Sequence, residues 1–149
     1  MVAIYTGGLY RSGDLDMVPD DFQRPRLEPV LASIGFLPSK SRYFKHPECD
    51  HLFLEFPKGP VEIGDEFPIE PAVIELQGRS LKLLSPTDCV KDRLASYIHW
   101  QSRDCLDQAV LVCRRQETAV DLTAVRKWCE AEGRGDAFEE LKRFLEQGA

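Results

Sequence analysis

Hydrophobic and polar positions alternate with period two in the first part of the chain and recur with helical spacing in the last part. Between residues 41 and 84 the alternation predicts short strands separated by glycine-containing turns at residues 58–60 and 77–79. The strands are expected at residues 42–44, 51–56, 61–63, 72–76 and 80–84. A further short strand is expected at residues 15–18, where the pattern stops at Pro19.

Helical spacing predicts one helix near the start of the chain and a helical segment at its end. Apolar residues at helical spacing mark the first helix over residues 27–34, directly before a glycine. Ser85 is the expected N-cap of the later segment, with Pro86 at the first helical position and Asp88 three residues after the cap. The later helices are expected at residues 86–100, 104–115, 121–132 and 136–146, with a helical hairpin at residues 133–135.

These elements predict a single α+β domain of 149 residues, with a strand-rich core at residues 1–84 and a helical segment at residues 85–149 packed on it. The formal charge of −6 argues against broad, salt-driven binding to nucleic acid or to an anionic membrane. Residues 1–8 are too short for a signal peptide, and no apolar run approaches the ~20 residues that span a bilayer. Five cysteines without a C-x-x-C pair fit reduced thiols, so we expect a cytoplasmic protein with no membrane partner.

Asp14 and Asp16 are the sharpest candidates for chemistry, because they lie two residues apart on a short predicted strand that follows a glycine turn. Side chains at positions i and i+2 of a strand project from the same face, so the two carboxylates are expected to project together. Like charges at that distance repel unless a cation lies between them, and hard oxygen ligands suit Mg²⁺ or Mn²⁺. The alternative is a solvated strand edge, or a turn capped by Asp14.

The stretch from Tyr10 to Val18 resembles the aspartate segment of the polymerase-β-type nucleotidyltransferases, in which a Gly-Gly or Gly-Ser pair precedes Asp-x-Asp inside a strand. Residues 84–94 and 103–107 resemble the helical part of small bacterial and archaeal members, including those of abortive-infection and toxin–antitoxin type. The resemblance implies a nucleotidyltransferase-like mixed β-sheet with helices packed on it and a C-terminal helical segment.

The same resemblance implies the reaction, in which a nucleoside monophosphate moves from a nucleoside triphosphate to a hydroxyl of an unknown acceptor, which is a protein, an RNA or a small molecule. A second reading stays open, that of an inactive member of the fold that binds nucleotide or a partner protein, for example within a toxin–antitoxin pair. An exposed apolar face on the last two helices would suit a homodimer or such a partner.

The implied site holds two divalent cations, Mg²⁺ or Mn²⁺, which bridge the triphosphate. Asp14 and Asp16 would bind these cations, and a third carboxylate on a neighbouring strand would complete the site. Glu55 is the candidate for that third group, because it lies near the end of an apolar strand. Glu62 and Asp65 are the alternatives.

Phosphate contacts are expected from residues next to the aspartates and from lysines further along the chain. Arg11, Ser12 and Gly13 directly precede the first aspartate, whereas Lys91 lies in the capped helix and Lys82 on the strand before it. Each of these lysines is expected to neutralise phosphate charge if it is turned toward the aspartates.

The glycine pair Gly7-Gly8 lies closer to Asp14 than the corresponding pair lies in the family. It is either a shortened phosphate loop or the end of the helix that follows the family's glycine pair. In the second case the pair itself would lie upstream of this chain or be absent, and we favour this second reading.

A small cluster of His46, Cys49 and His51 within six residues raises the question of zinc. The sequence supplies no second ligand pair at the spacing that zinc fingers use. A polar turn before a strand is therefore the expected structure.

Overall fold

The computed structural model describes residues 1–19, 23–39 and 43–147. This part of the chain holds six helices, a four-stranded mixed sheet and a two-stranded sheet, so the predicted α+β class is confirmed. In chain order the elements are α1 (Val2–Tyr5), β1 (Asp14–Asp16), α2 (Arg24–Ser33), β2 (Leu37–Pro38), β3 (Tyr43–His46), β4 (Cys49–Glu55), β5 (Ala72–Leu76), β6 (Arg79–Leu83), α3 (Pro86–Trp100), α4 (Arg103–Arg115), α5 (Leu122–Ala131) and α6 (Gly135–Glu146).

The chain divides into two compact units, and each has a hydrophobic core of its own. One unit is Arg11–Val61, and the other combines Met1–Tyr10 with Glu62–Ala149. The β5–β6 hairpin groups with the helices, because its side chains Ile74, Leu81 and Leu83 belong to the helical core. The predicted division of the chain at residues 84 and 85 remains a prediction.

The unit Arg11–Val61 contains the four-stranded sheet, whose strand order is β1-β4-β3-β2. In this sheet β1 runs parallel to β4, and the other pairs are antiparallel. Its core consists of Leu31 from α2, Phe44 from β3 and Leu54 from β4, each at most 5% exposed. Alternation along the strands sends Phe44 and Leu54 to the same face, because these two residues are paired in register. One face of the sheet is therefore the apolar, buried face.

The turn after α2 depends on a glycine. Gly35 adopts a φ of +89°, and a Cβ at this position would lie 2.2 Å from Nε2 of His46. The imidazole of His46 also packs edge-on against Phe36, with 5.3 Å between the ring centroids. Any larger residue at position 35 would displace this ring and strain the backbone.

The helical unit begins its long helix as the sequence predicts. Ser85 is the N-cap of α3, and its Oγ accepts a hydrogen bond of 3.1 Å from the backbone N–H of Asp88. The bounds of α3 are the predicted ones, and α4, α5 and α6 each begin and end within one residue of the prediction. The predicted hairpin between α5 and α6 is also present, with Gly133 at a φ of +68°.

The predicted strand at residues 61–63 is wrong. Ile63 forms only an isolated bridge with Glu66, through backbone hydrogen bonds of 3.1 and 3.3 Å that close a tight turn. Gly64 at the centre of the turn has a φ of +58°, and Trp128 donates from Nε1 to the carbonyl oxygen of Ile63 at 3.2 Å. Apolar residues at positions 61 and 63 suggested period two, but the turn and its anchor on α5 decide the local structure.

Candidate functional site

The register of β1 and β4 makes the backbone positions of the three predicted acids neighbours in one sheet. Asp14 is paired with Phe53 and Asp16 with Glu55 across the parallel ladder. The ladder continues past β1, where the N–H of Met17 donates to the carbonyl oxygen of Glu55 at 2.9 Å. Neighbouring strands lie about 4.8 Å apart, so Glu55 is the direct neighbour of Asp16.

The three acids share one face of the sheet, because residues paired in register point to the same side and side chains alternate along each strand. Leu15 and Leu54 lie between the acids in sequence and point to the opposite side, where Leu54 is only 3% exposed. The face opposite the apolar core is therefore the acidic face.

Burial differs among the three acids. Asp14 and Asp16 are exposed, whereas Glu55 is only 7% exposed. The hydroxyl of Ser12 donates to Oδ1 of Asp14 at 2.9 Å, which orients that carboxylate. Arg11 is exposed in the segment before β1, and Gly13 is exposed beside it. The residues that sequence analysis chose around the aspartates therefore lie in one short, accessible segment.

Three carboxylates supply the hard oxygen donors that Mg²⁺ and Mn²⁺ prefer, so the donor set fits these cations. Within residues 1–19, 23–39 and 43–147, however, no three Asp, Glu, His or Cys side chains are grouped so that they could hold a metal ion. The backbone positions of the acids are adjacent, and the side chains would have to turn together to bind a cation.

The glycine pair closes the end of α1. The N–H of Gly7 donates to the carbonyl oxygen of Ile4 at 3.1 Å, and the N–H of Gly8 donates to that of Ala3 at 2.8 Å. These amides already have backbone partners, whereas a phosphate loop presents free N–H groups to its ligand. This geometry favours the reading of Gly7-Gly8 as a helix end.

Lys91 is engaged within the helical unit. Its ammonium lies 2.7 Å from Oε2 of Glu66 and 3.3 Å from Oδ1 of Asp88, and the residue is only 6% exposed. Burial by itself lowers the pKa of Lys91, but the hydrogen bonds with Glu66 and Asp88 outweigh it, so the pKa is raised above its ordinary value. A phosphate would have to displace these carboxylates to bind Lys91.

The remaining candidates also lie in the helical unit. Glu62 and Asp65 are exposed, and the N–H of Asp65 donates to Oε1 of Glu132 at 3.0 Å. Lys82 is exposed on β6, where it is paired with Val73. Of the three candidates for the third carboxylate, Glu55 is the one in register with an aspartate.

The His46–His51 cluster forms the expected polar turn. His46 and Cys49 are paired at the end of the β3–β4 hairpin, and the N–H of Glu48 donates to Nδ1 of His46 at 3.1 Å. The imidazole is thus used for packing and for closing the turn.

Two further residues on the acidic face were not selected from the sequence. Lys45 on β3 is paired with Phe53, and Tyr43 is paired with Glu55. The turn at residues 47–48 does not give this register, because the pairing shifts between His46, which faces Cys49, and Lys45, which faces Phe53. The acidic face therefore also carries aromatic rings and a lysine.

The helical hairpin α5–α6 carries an open groove on its surface. Its apolar residues are Leu122, Phe138 and Leu145, and basic side chains of Arg126, Lys127 and Lys142 surround them. A homodimer or partner protein on this face remains a prediction.

Comparisons of the chain with models of protein families, with curated proteins and with solved structures returned no match. No helix in the described residues combines the length and the apolar character that crossing a membrane requires. The fold and the site define an α+β protein with an acidic sheet face. The resemblance to nucleotidyltransferases rests on the sequence motifs alone and stays a prediction.

Proposed function

We propose that this chain is a metal-dependent nucleotidyltransferase, which moves a nucleoside monophosphate from a nucleoside triphosphate to a hydroxyl of an acceptor. The observation that carries the proposal is the pairing of Glu55 with Asp16 on one face of β1 and β4. Two-metal transfer uses carboxylates from neighbouring backbone segments, and the pairing supports the proposal because it makes Asp16 and Glu55 neighbours on adjacent strands.

In the proposed reaction each acid has its own role. Asp14 and Asp16 are exposed and supply oxygen ligands, and Ser12 keeps the carboxylate of Asp14 oriented. Two divalent cations, when bound, would neutralise the triphosphate and favour ionisation of the attacking hydroxyl. The hydroxyl oxygen bonds to the α-phosphorus, the bond to the β-phosphate bridging oxygen breaks, and pyrophosphate leaves. Glu55 takes the proton of the hydroxyl.

A second candidate function is nucleotide or protein binding without turnover, as in an inactive member of the same fold. The backbone amides of Gly7 and Gly8 favour it, because both already donate to carbonyl oxygens at the end of α1. A site with this geometry lacks a glycine cradle in that segment, and triphosphate binding would depend on cations and side chains.

Transfer of a radioactive label from α-labelled nucleoside triphosphates in the presence of Mn²⁺ separates the two candidates. Wild type is compared with the double variant Asp14→Asn/Asp16→Asn and with Asp65→Asn as a matched acid-to-amide control. Pyrophosphate release or self-labelling by wild type and by Asp65→Asn, lost in the double variant, would support the enzyme. Metal-dependent binding without pyrophosphate release would support the binding module, and absence of both would contradict both candidates.

A further inference from the structure

Lys45, Phe53 and Asp14 form a row across the acidic face. Lys45 on β3 is paired with Phe53 on β4, and Phe53 is paired with Asp14 on β1. Since neighbouring strands are about 4.8 Å apart, the Cα atoms at the two ends of this row are separated by roughly 10 Å. The three residues belong to one unit and one sheet.

The ammonium of Lys45 lies over the side chain of the middle residue. Its Nζ is 4.5 Å from the centroid of the Phe53 ring, a distance typical of a cation–π contact. Tyr43 supports the ring from the side, with 5.8 Å between the two ring centroids and an interplanar angle of 71°. The four-carbon stem of Lys45 therefore follows the sheet face toward the strand that neighbours the aspartates.

Lys45 is also available for an anionic ligand. It is exposed, and no carboxylate among the described residues forms an ion pair with it. Lys91 differs, because Glu66 and Asp88 hold its ammonium. A lysine without a carboxylate partner can bind a phosphate without first breaking an ion pair.

The charge balance of the proposed site favours a cation at the position of Lys45. Three carboxylates together with a triphosphate carry more negative charge than two divalent cations offset, so a further cation on the same face would stabilise the bound nucleotide. Within the row of Lys45, Phe53 and Asp14, the ammonium of Lys45 carries the positive charge.

We propose that Lys45 binds the β- and γ-phosphates of a nucleoside triphosphate held at Asp14 and Asp16, and that Phe53 positions the lysine side chain for this contact. The proposal rests on the proposed function, because it assumes a triphosphate on the acidic face. It assigns the phosphate-binding cation to β3 of the same sheet. Lys45 would stay with the pyrophosphate as the bond to the α-phosphorus breaks.

The test is a calorimetric titration of the full chain with ATP, GTP, CTP and UTP in turn, each in the presence of Mn²⁺. The variants are Lys45→Gln, Lys45→Met, which keeps most of the apolar stem, and Lys45→Arg, which keeps the charge. Lys58→Gln is the matched control, because Lys58 is an exposed lysine of the same unit outside the strands. Circular dichroism of each variant checks that the fold is retained.

We expect both neutral variants to bind the preferred triphosphate on the order of tenfold more weakly, as loss of a charge-assisted contact implies. Lys45→Arg and Lys58→Gln should bind like wild type. The affinity for the corresponding nucleoside monophosphate should not change, because it lacks the β- and γ-phosphates.

Unchanged triphosphate affinity in Lys45→Gln and Lys45→Met, with binding lost in Asp14→Asn/Asp16→Asn, would overturn the role of Lys45 and leave the proposed function standing. Equal weakening by Lys58→Gln would also overturn it, because the effect would then be a general one of net charge. No binding of any triphosphate by wild type would overturn both proposals.

Discussion

Asp16 and Glu55 are paired across the parallel β1–β4 ladder, yet the first is exposed and the second is only 7% exposed. The exposed carboxylate is accessible to a hydrated cation, whereas the carboxylate of Glu55 is largely shielded from water. We therefore propose that the exposed aspartate binds metal and that Glu55 accepts the proton of the attacking hydroxyl.

Glu55→Gln should reduce nucleotidyl transfer far more than it reduces metal binding. The loss of a general base typically costs about 10²- to 10⁴-fold in rate, and we expect a loss in that range. The rate of pyrophosphate release at saturating Mn²⁺ measures the effect. Glu62→Gln, an exposed acid of the other unit, is the control and should retain the wild-type rate. A wild-type transfer rate in Glu55→Gln would contradict its role as the general base.

Leu54→Ala should destabilise the unit Arg11–Val61, because Leu54 is 3% exposed and packs with Leu31 and Phe44. Removal of a buried leucine side chain typically costs about 2–5 kcal/mol of unfolding free energy. Leu15→Ala is the matched control, since Leu15 is paired with Leu54 but is 44% exposed. Urea denaturation measures both variants, and equal loss in the two would contradict the assignment of the apolar face.

The helical half could be predicted closely from the sequence, because its signals are local. Ser85, Pro86 and Asp88 fix the start of α3 through capping chemistry that involves four consecutive residues. The turn at Ile63–Glu66 could not be predicted, because its anchor on Trp128 is 65 residues away in sequence. Local alternation at residues 61–63 carries no information about such a contact.

In the candidate site, too, the features set by local sequence could be predicted and those set by long-range pairing could not. The D-x-D spacing was enough to place Asp14 and Asp16 on one face, because strand geometry is periodic. The choice of Glu55 depends on a pairing between residues 39 positions apart in the sequence, for which Glu62 and Asp65 were the alternatives. Lys45 could not be predicted, because a single lysine on a strand resembles any solvated lysine unless the residues paired with it across the sheet are known.

Lys91→Met should lower the unfolding free energy, because Glu66 and Asp88 would lose their common partner. The two carboxylates are partly exposed, so we expect a loss of about 1–3 kcal/mol, below that of a fully buried pair. Lys127→Met, at an exposed position of α5, is the control and should change stability little. Wild-type stability in Lys91→Met, combined with loss of triphosphate binding, would instead assign Lys91 to the phosphates.

Alkaline pH should destabilise the helical unit through its buried thiols. Burial raises the pKa of Cys89 and of Cys129 from 9.0 to about 11 and that of Cys113 to about 12. The unfolded chain loses these thiol protons at a lower pH than the folded chain does. The contribution of the thiols to the unfolding free energy is therefore complete below about pH 9 and is lost as the pH rises through 11 to 12.

Urea denaturation between pH 8 and about pH 11 measures this dependence. The unfolding free energy should fall as the pH rises, and Cys129→Ala should show a shallower fall from a lower starting value. An identical slope in wild type and Cys129→Ala would show that this thiol does not contribute.

The most direct test of the proposed metal site is a titration of Mn²⁺ into wild type and into Asp14→Asn/Asp16→Asn, with and without nucleoside triphosphate. Both aspartates are exposed, so the double variant should keep the fold by circular dichroism. We predict that wild type binds Mn²⁺ and binds triphosphate only with it, and that the double variant binds neither. Unchanged Mn²⁺ affinity in the double variant, or triphosphate binding that does not depend on metal, would contradict the proposed site.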